Sequence, residues 1–65
     1  MPFVRIDLWS GRDREKKREL IEKVTSAVAE AIDCSTEAVQ VIINEVDKDS
    51  WGTGGVPASV KFPDR

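Results

Sequence analysis

An α/β chain folded as one β-α-β unit with a C-terminal hairpin is what three features of the sequence predict. They are an alternating apolar run at the start, a long amphipathic stretch behind it, and a second β-branched run ahead of a glycine cluster. The 65 residues form a single domain, 1–65. A chain of this size buries only roughly 60% of the surface its unfolded form exposes. Small chains usually make up the deficit with disulfides, a structural metal or partner subunits. One cysteine, Cys34, makes no internal disulfide, and with no histidine in the chain a structural zinc has almost no ligands to draw on. Oligomerisation is the option left.

Each element follows from its pattern. Between Phe3 and Trp9, Val4, Ile6 and Leu8 fall on one face and Arg5 and Asp7 on the other, the period of a strand. Ser10-Gly11-Arg12-Asp13 turns the chain, with Asp13 placed as a helix N-cap. Leu20, Val24, Ala27, Val28 and Ala31 then recur at three and four residues, flanked by Ile21 and Ile32, with charged and polar residues in the gaps. This spacing predicts an amphipathic helix of about five turns, ending near Asp33, with Ser35-Thr36 starting a new turn or short helical cap. The run VQVIINEV, 39–46, is apolar on both faces apart from Gln40, Asn44 and Glu45, and reads as a strand covered on two sides. One helix covers only one side, so the second face is expected to pack on another subunit. Strand, helix and strand in this order predict a parallel crossover. The glycines at 52, 54 and 55 offer a phosphate cradle or a tight hairpin turn; the lysine and following helix of a P-loop are missing, which favours the turn. Val60, Lys61 and Phe62 are expected as a short terminal strand, limited by Pro57 and Pro63.

Charge narrows the partners. Twelve acidic and ten basic residues give a net −2, interspersed rather than clustered, so a nucleic-acid footprint is not expected. Arg12 to Arg18 is diluted by Asp13 and Glu15 and reads as a solvated first helical turn. No run approaches the roughly 18 apolar residues of a membrane span, and the first residues, lacking the charged and apolar regions of a signal peptide, are not expected to act as one. A lone thiol suits the cytoplasm, and Cys34 reads as a small apolar filler after the helix rather than a reactive group.

Chemistry without a metal near neutral pH needs a group titrating near 7. With no histidine and no tyrosine, carboxylates and lysines each require a shift of about three units to reach it. Pro2 is different. Removal of Met1 leaves it a free secondary amine, whereas in the intact chain its nitrogen is a tertiary amide with no basicity. Partial burial among Phe3, Trp9 and Trp51, and a nearby Arg12, would lower the amine's pKa by disfavouring the cation. A proline at position two is common on its own, and its neighbours are what raise its significance.

Together, MPFVRIDLWSGRDREKKRELIEKVT, VQVIINEV and WGTGG resemble the 4-oxalocrotonate tautomerase family, over nearly the whole chain up to about Ala58. The resemblance implies a β-α-β subunit that dimerises through a four-stranded sheet, with three dimers forming a hexamer, homo-oligomeric or mixed. It implies a tautomerase that uses no cofactor or metal and interconverts enol and keto forms of a 2-hydroxydienoate or related 2-oxo acid. Pro2 is then the general base and acid, and Arg12 matches the arginine that meets a substrate carboxylate. For Arg12 the alternative is an ordinary surface arginine, although a cation is electrostatically disfavoured near a helix N-terminus. Trp51 falls where the family has an aromatic pocket wall, or else is core packing. Trp9 aligns with a pocket position contributed by a neighbouring subunit. Gln40 stands where the best-known members carry a second arginine, and Ala38 lacks a hydroxyl found there; an amide donates hydrogen bonds but brings no charge. The rival readings are another reaction of the superfamily, dehalogenation or decarboxylation with Glu45 as the nearest candidate acid, or a non-catalytic or partner-dependent binding subunit.

Overall fold

A computed structural model describes residues 1–63; residues 64 and 65 of the expected domain lie outside that description. Strand β1 (Phe3–Trp9) leads to helix α1 (Arg14–Ile32), a 3₁₀ turn (Thr36–Ala38) and strand β2 (Gln40–Val46). A second 3₁₀ turn (Lys48–Ser50), the two-residue strands β3 (Gly52–Thr53) and β4 (Val56–Pro57), and the single turn α2 (Ala58–Lys61) complete the chain. The two long strands pair in parallel from Phe3 opposite Gln40 to Trp9 opposite Val46. The β-α-β unit and the hairpin are therefore as the sequence reads.

Capping sets the ends of α1. The Asp13 carboxylate accepts from the Lys16 amide at 2.9 Å, satisfying one of the donors a helix start leaves unpaired. At the other end Asp33 adopts a left-handed conformation (φ 60°), and the Cys34 amide returns to the Ala29 carbonyl at 3.0 Å. Ser35 then caps the 3₁₀ turn, accepting from the Glu37 amide at 3.1 Å. In the hairpin, Gly54 and Gly55 both have positive φ, 62° and 83°. Two such residues in a two-residue loop match the twist of the strands they join, which settles the glycine cluster as a turn.

One expectation fails. Val60, Lys61 and Phe62 are not a strand: Ala58–Lys61 is helical, and the Phe62 amide closes the turn on the Ala58 carbonyl at 2.7 Å. Ala58 is completely buried, its amide donates to the Trp51 carbonyl at 2.6 Å, and the Ser59 hydroxyl donates to Asp49 at 2.5 Å. The chain therefore turns back onto the second 3₁₀ turn, and these local bonds replace the sheet edge that a strand would have needed.

The alternation along both strands sorts the sheet into two faces. Val4, Ile6 and Leu8 with Val41 and Ile43 form the less exposed face, beneath α1. There Lys17 of α1 reaches Glu45 of β2 at 3.0 Å. The opposite face carries Phe3, Arg5, Asp7, Ile42 and Asn44, all exposed, tied by Asn44 donating to Asp7 at 2.9 Å and by the Arg5–Asp7 pair at 3.6 Å. Within one subunit β2 is thus covered on one side only.

Among the described residues only Ala29 and Ala58 are buried, and no large side chain is. The radius of gyration is 14.6 Å, against about 11 Å for a compact domain of this length. Accessible surface is 4994 Å², where roughly 4,100 Å² suits a folded monomer of this mass. A flat shape, 42 × 25 × 14 Å, is the cause.

Candidate functional site

The parallel crossover sends the expected site residues to two poles. At one pole the Gln40 amide donates to the Pro2 carbonyl at 3.0 Å. The Gln40 side chain lies over residue 1, its Nε2 within 3.9 Å of the Met1 Sδ. Met1 is 91% exposed and Pro2 half-buried, with its nitrogen in the Met1–Pro2 amide. At the opposite pole, beyond the end of β1, Arg12 Nη1 donates to the Trp9 carbonyl at 3.0 Å. That contact uses one of the guanidinium's five donors, and Arg12 is otherwise exposed.

Trp9 and Trp51 belong to the Arg12 pole. Their rings meet edge to face, centroids 6.1 Å apart at 81°. Phe62 tilts against Trp9 at 5.5 Å, and the Lys48 ammonium sits 4.9 Å from the Trp9 ring centroid while donating to the Phe62 carbonyl. The Trp9 Nε1 is buried without a hydrogen-bond partner among the described residues. Both tryptophans are half-buried, so Trp51 packs and is available at once. Lys48 and Phe62 are the members of this cluster that sequence reasoning missed. Contact between residues 9 and 62 leaves no local pattern to read.

The fold does not gather the five residues in one subunit. Seven residues at about 3.3 Å each separate Pro2 from Trp9 by roughly 23 Å, and Arg12 lies beyond. A surface hollow of about 540 Å³ between α1 and β2 is lined by Arg14, Lys17, Arg18, Ile21, Glu22 and Ile43 and holds none of them. Glu45, the candidate acid of the rival reactions, faces α1 and is held by Lys17. No group of three His, Cys, Asp or Glu side chains converges for a metal among the described residues.

Among the described residues two groups titrate away from their ordinary values, both on the solvent face of α1. A hydrogen bond from Lys23, then its charge, holds Glu19 below the usual carboxylate range, and the same bond raises Lys23. The pair, 2.8 Å apart, belongs to the helix and not to either pole.

A family model described as Tautomerase enzyme matches residues 2–61. The chain belongs to the tautomerase family. This tautomerase is 45% identical over 58 residues to 2-hydroxymuconate tautomerase of Comamonas testosteroni, covering 89% of this chain and 92% of that one. A solved structure of the 4-oxalocrotonate tautomerase isozymes from Methylibium petroleiphilum superposes with a TM-score of 0.87 at 48% identity, over 98% of this chain and all of the other. The heterohexamer 4-oxalocrotonate tautomerase from Chloroflexus aurantiacus J-10-fl matches with a TM-score of 0.87 at 36% identity, over 91% of this chain and 95% of its own. The tautomerase thus shares the β-α-β fold of these enzymes from end to end, and it is an isomerase of their kind. No helix among its described residues is long and apolar enough to cross a membrane.

Proposed function

We propose that this tautomerase interconverts the enol and keto forms of a 2-hydroxydienoate or related 2-oxo acid, with Pro2 as the proton carrier once Met1 is removed. The free secondary amine takes the enol hydroxyl proton. The O–H electrons form the carbonyl, the double bond shifts, and the ammonium returns the proton to carbon, so the amine is regenerated. Arg12 holds a carboxylate through its planar fork. Gln40 donates a hydrogen bond to substrate, and Trp51 with Trp9 forms the wall that keeps water from the amine. The reaction runs in the cytoplasm, a placement that the lone free thiol favours.

The observation that carries this reading is the separation of Pro2 from Arg12 across the length of β1. A site using both needs the Pro2 pole of one copy against the Arg12 pole of another. The excess surface and the open sheet face with Phe3 at 62% and Ile42 at 46% exposure support such an assembly. We place it as a hexamer, three dimers each sharing a four-stranded sheet. A mixed oligomer is the second reading, favoured by the similarity to the Chloroflexus heterohexamer.

The test is ultraviolet-followed ketonisation of 2-hydroxymuconate and of the monocarboxylate phenylenolpyruvate by the purified chain, with intact mass measured on the same sample. Turnover by a species lacking one methionine supports the proposal. Turnover by a species that retains Met1 would exclude Pro2 as the base. Activity only after a second chain is added would select the mixed oligomer.

A further inference from the structure

All ten cations of the chain lie outside residues 24–47, a stretch that holds Glu30, Asp33, Glu37, Glu45 and Asp47. This stretch forms the second half of α1, the first 3₁₀ turn and β2. The parallel crossover brings its middle, from Glu30 to Gln40, to the pole that holds Pro2. There the last turn of α1 has no basic residue, so its unpaired carbonyls face that end without a compensating cation. Glu30, Asp33 and Glu37 are exposed, and none of them lies in an ion pair among the described residues. At the opposite pole stand Arg12, Arg14, Lys17 and Lys48. Among the described residues the basic side chain of β1 nearest Pro2 is Arg5, paired with Asp7 at 3.6 Å, and the terminal ammonium is the other cation at this end; the opposite end is the richer in cations.

Gln40 is the polar residue that opens β2 at this pole. Its amide lies against residue 1, the residue bonded to the Pro2 nitrogen, and its backbone is pinned to the Pro2 carbonyl. Removal of Met1 takes away the sulfur contact and leaves Gln40 paired, through its backbone, with the residue that carries the amine. An amide N–H satisfies a carbonyl or enol oxygen, but it neutralises no carboxylate, and the acids around it oppose a second negative charge.

From these placements we infer that Gln40 selects substrates carrying a single carboxylate. That carboxylate, with the enol or oxo oxygen on the next carbon facing Pro2, goes to Arg12 of a neighbouring copy, and the far end of the substrate, beside Gln40, is uncharged. The inference rests on the proposed use of Pro2 and Arg12 in one site. It sets the substrate class apart from the dicarboxylate acted on by the relatives named for 2-hydroxymuconate.

Binding of two saturated 2-oxo acids of equal length tests it, followed by calorimetry and by the fluorescence of Trp9 and Trp51 on the assembled, Met1-free protein. The probes are 2-oxohexanoate and 2-oxohexanedioate, which differ only in the terminal carboxylate. The monoacid should bind the tighter, and Gln40→Arg, with Gln40→Lys as a second variant, should strengthen diacid binding by roughly tenfold or more and reverse the order. Tighter binding of the diacid by the unmodified protein overturns the inference, as does a gain of equal size for both acids in the variants. Binding in the expected order without ketonisation of the monocarboxylate phenylenolpyruvate by the same sample supports the selectivity while removing Pro2 as the base. Failure of both acids to bind overturns the inference together with the site it rests on.

Discussion

The Gln40 amide donates to the Pro2 carbonyl across 3.0 Å, so the first residue of β2 is fastened to the residue whose nitrogen the proposed chemistry uses. Pairing at the start of the parallel ladder holds that end of the chain in place. A terminal amine there is set on a sheet rather than on a loose end, and a general base has to be held within hydrogen-bond reach of the proton it takes. Pro2→Ala keeps a free amine but makes it primary and less constrained. Ketonisation by this variant is expected to fall by roughly 10² to 10⁴, the usual contribution of a positioned base, in a stopped-flow or steady-state assay. A rate unchanged by this substitution would remove the assignment.

Arg12 spends one donor on the Trp9 carbonyl, and the proposed site uses the rest of its fork for a carboxylate. Arg12→Ala should lower kcat/KM by about 10- to 150-fold, the range for losing hydrogen bonds to a charged group. Arg12→Lys should recover only part of it, because a point charge does not reproduce a planar two-pronged contact. Full recovery by lysine would mean that charge alone matters.

The open sheet face gives a test of assembly that is independent of catalysis. Phe3 and Ile42 stand on it at 62% and 46% exposure, and both strands have a free edge. Placing a carboxylate there, by Ile42→Asp, puts a desolvation penalty of several kcal/mol on any interface that covers it. Sedimentation should show smaller species than for the unmodified chain, with turnover lost in parallel. An assembly of unchanged size would show that this face stays in water.

Asp33 combines two unfavourable features: a left-handed backbone at φ 60° and a negative charge at the C-terminal end of α1. Asp33→Gly removes both, and is expected to stabilise the fold by roughly 0.5–1 kcal/mol, read as a rise in the denaturation midpoint with an unchanged slope.

The Glu19–Lys23 pair sets a modest pH dependence. Glu19 is depressed in the folded chain, so its contribution is present above the unfolded value of about 4.3 and is lost as pH falls through the lower folded one. Lys23 is raised, so its contribution is present below about 10.4 and is lost as pH rises through the folded value. Both groups are fully exposed, so added salt should weaken the effect. Glu19→Gln should remove this pair's share of the midpoint's loss at both extremes. An identical pH profile in the variant would show that the pair contributes nothing.

Local patterns were enough to draw most of the fold. Alternation from Phe3 to Trp9, the three-and-four spacing through α1, Asp13 before the helix, Asp33 at its end and paired glycines at 54 and 55 each act over a few residues. Each can therefore be read without knowing what lies across the molecule. The C-terminal turn was missed because Val60 and Phe62 are apolar at a spacing that suits a strand. What decided against one was distant: the burial of Ala58 under the Trp51 carbonyl and the contact of Phe62 with Trp9.

By itself the sequence determined the two long strands, the helix between them and the glycine hairpin, and which residue types were available for proton transfer and carboxylate binding. It also placed every cation outside residues 24–47. Only the tertiary structure decided where those residues stand: Pro2 and Gln40 at one pole, Arg12 with Trp9, Trp51, Lys48 and Phe62 at the other. The reason is physical. A parallel crossover reverses direction through α1 and returns β2 beside β1, so residues far apart in the chain meet at each end while Pro2 and Arg12, ten positions apart, are held a strand's length from each other.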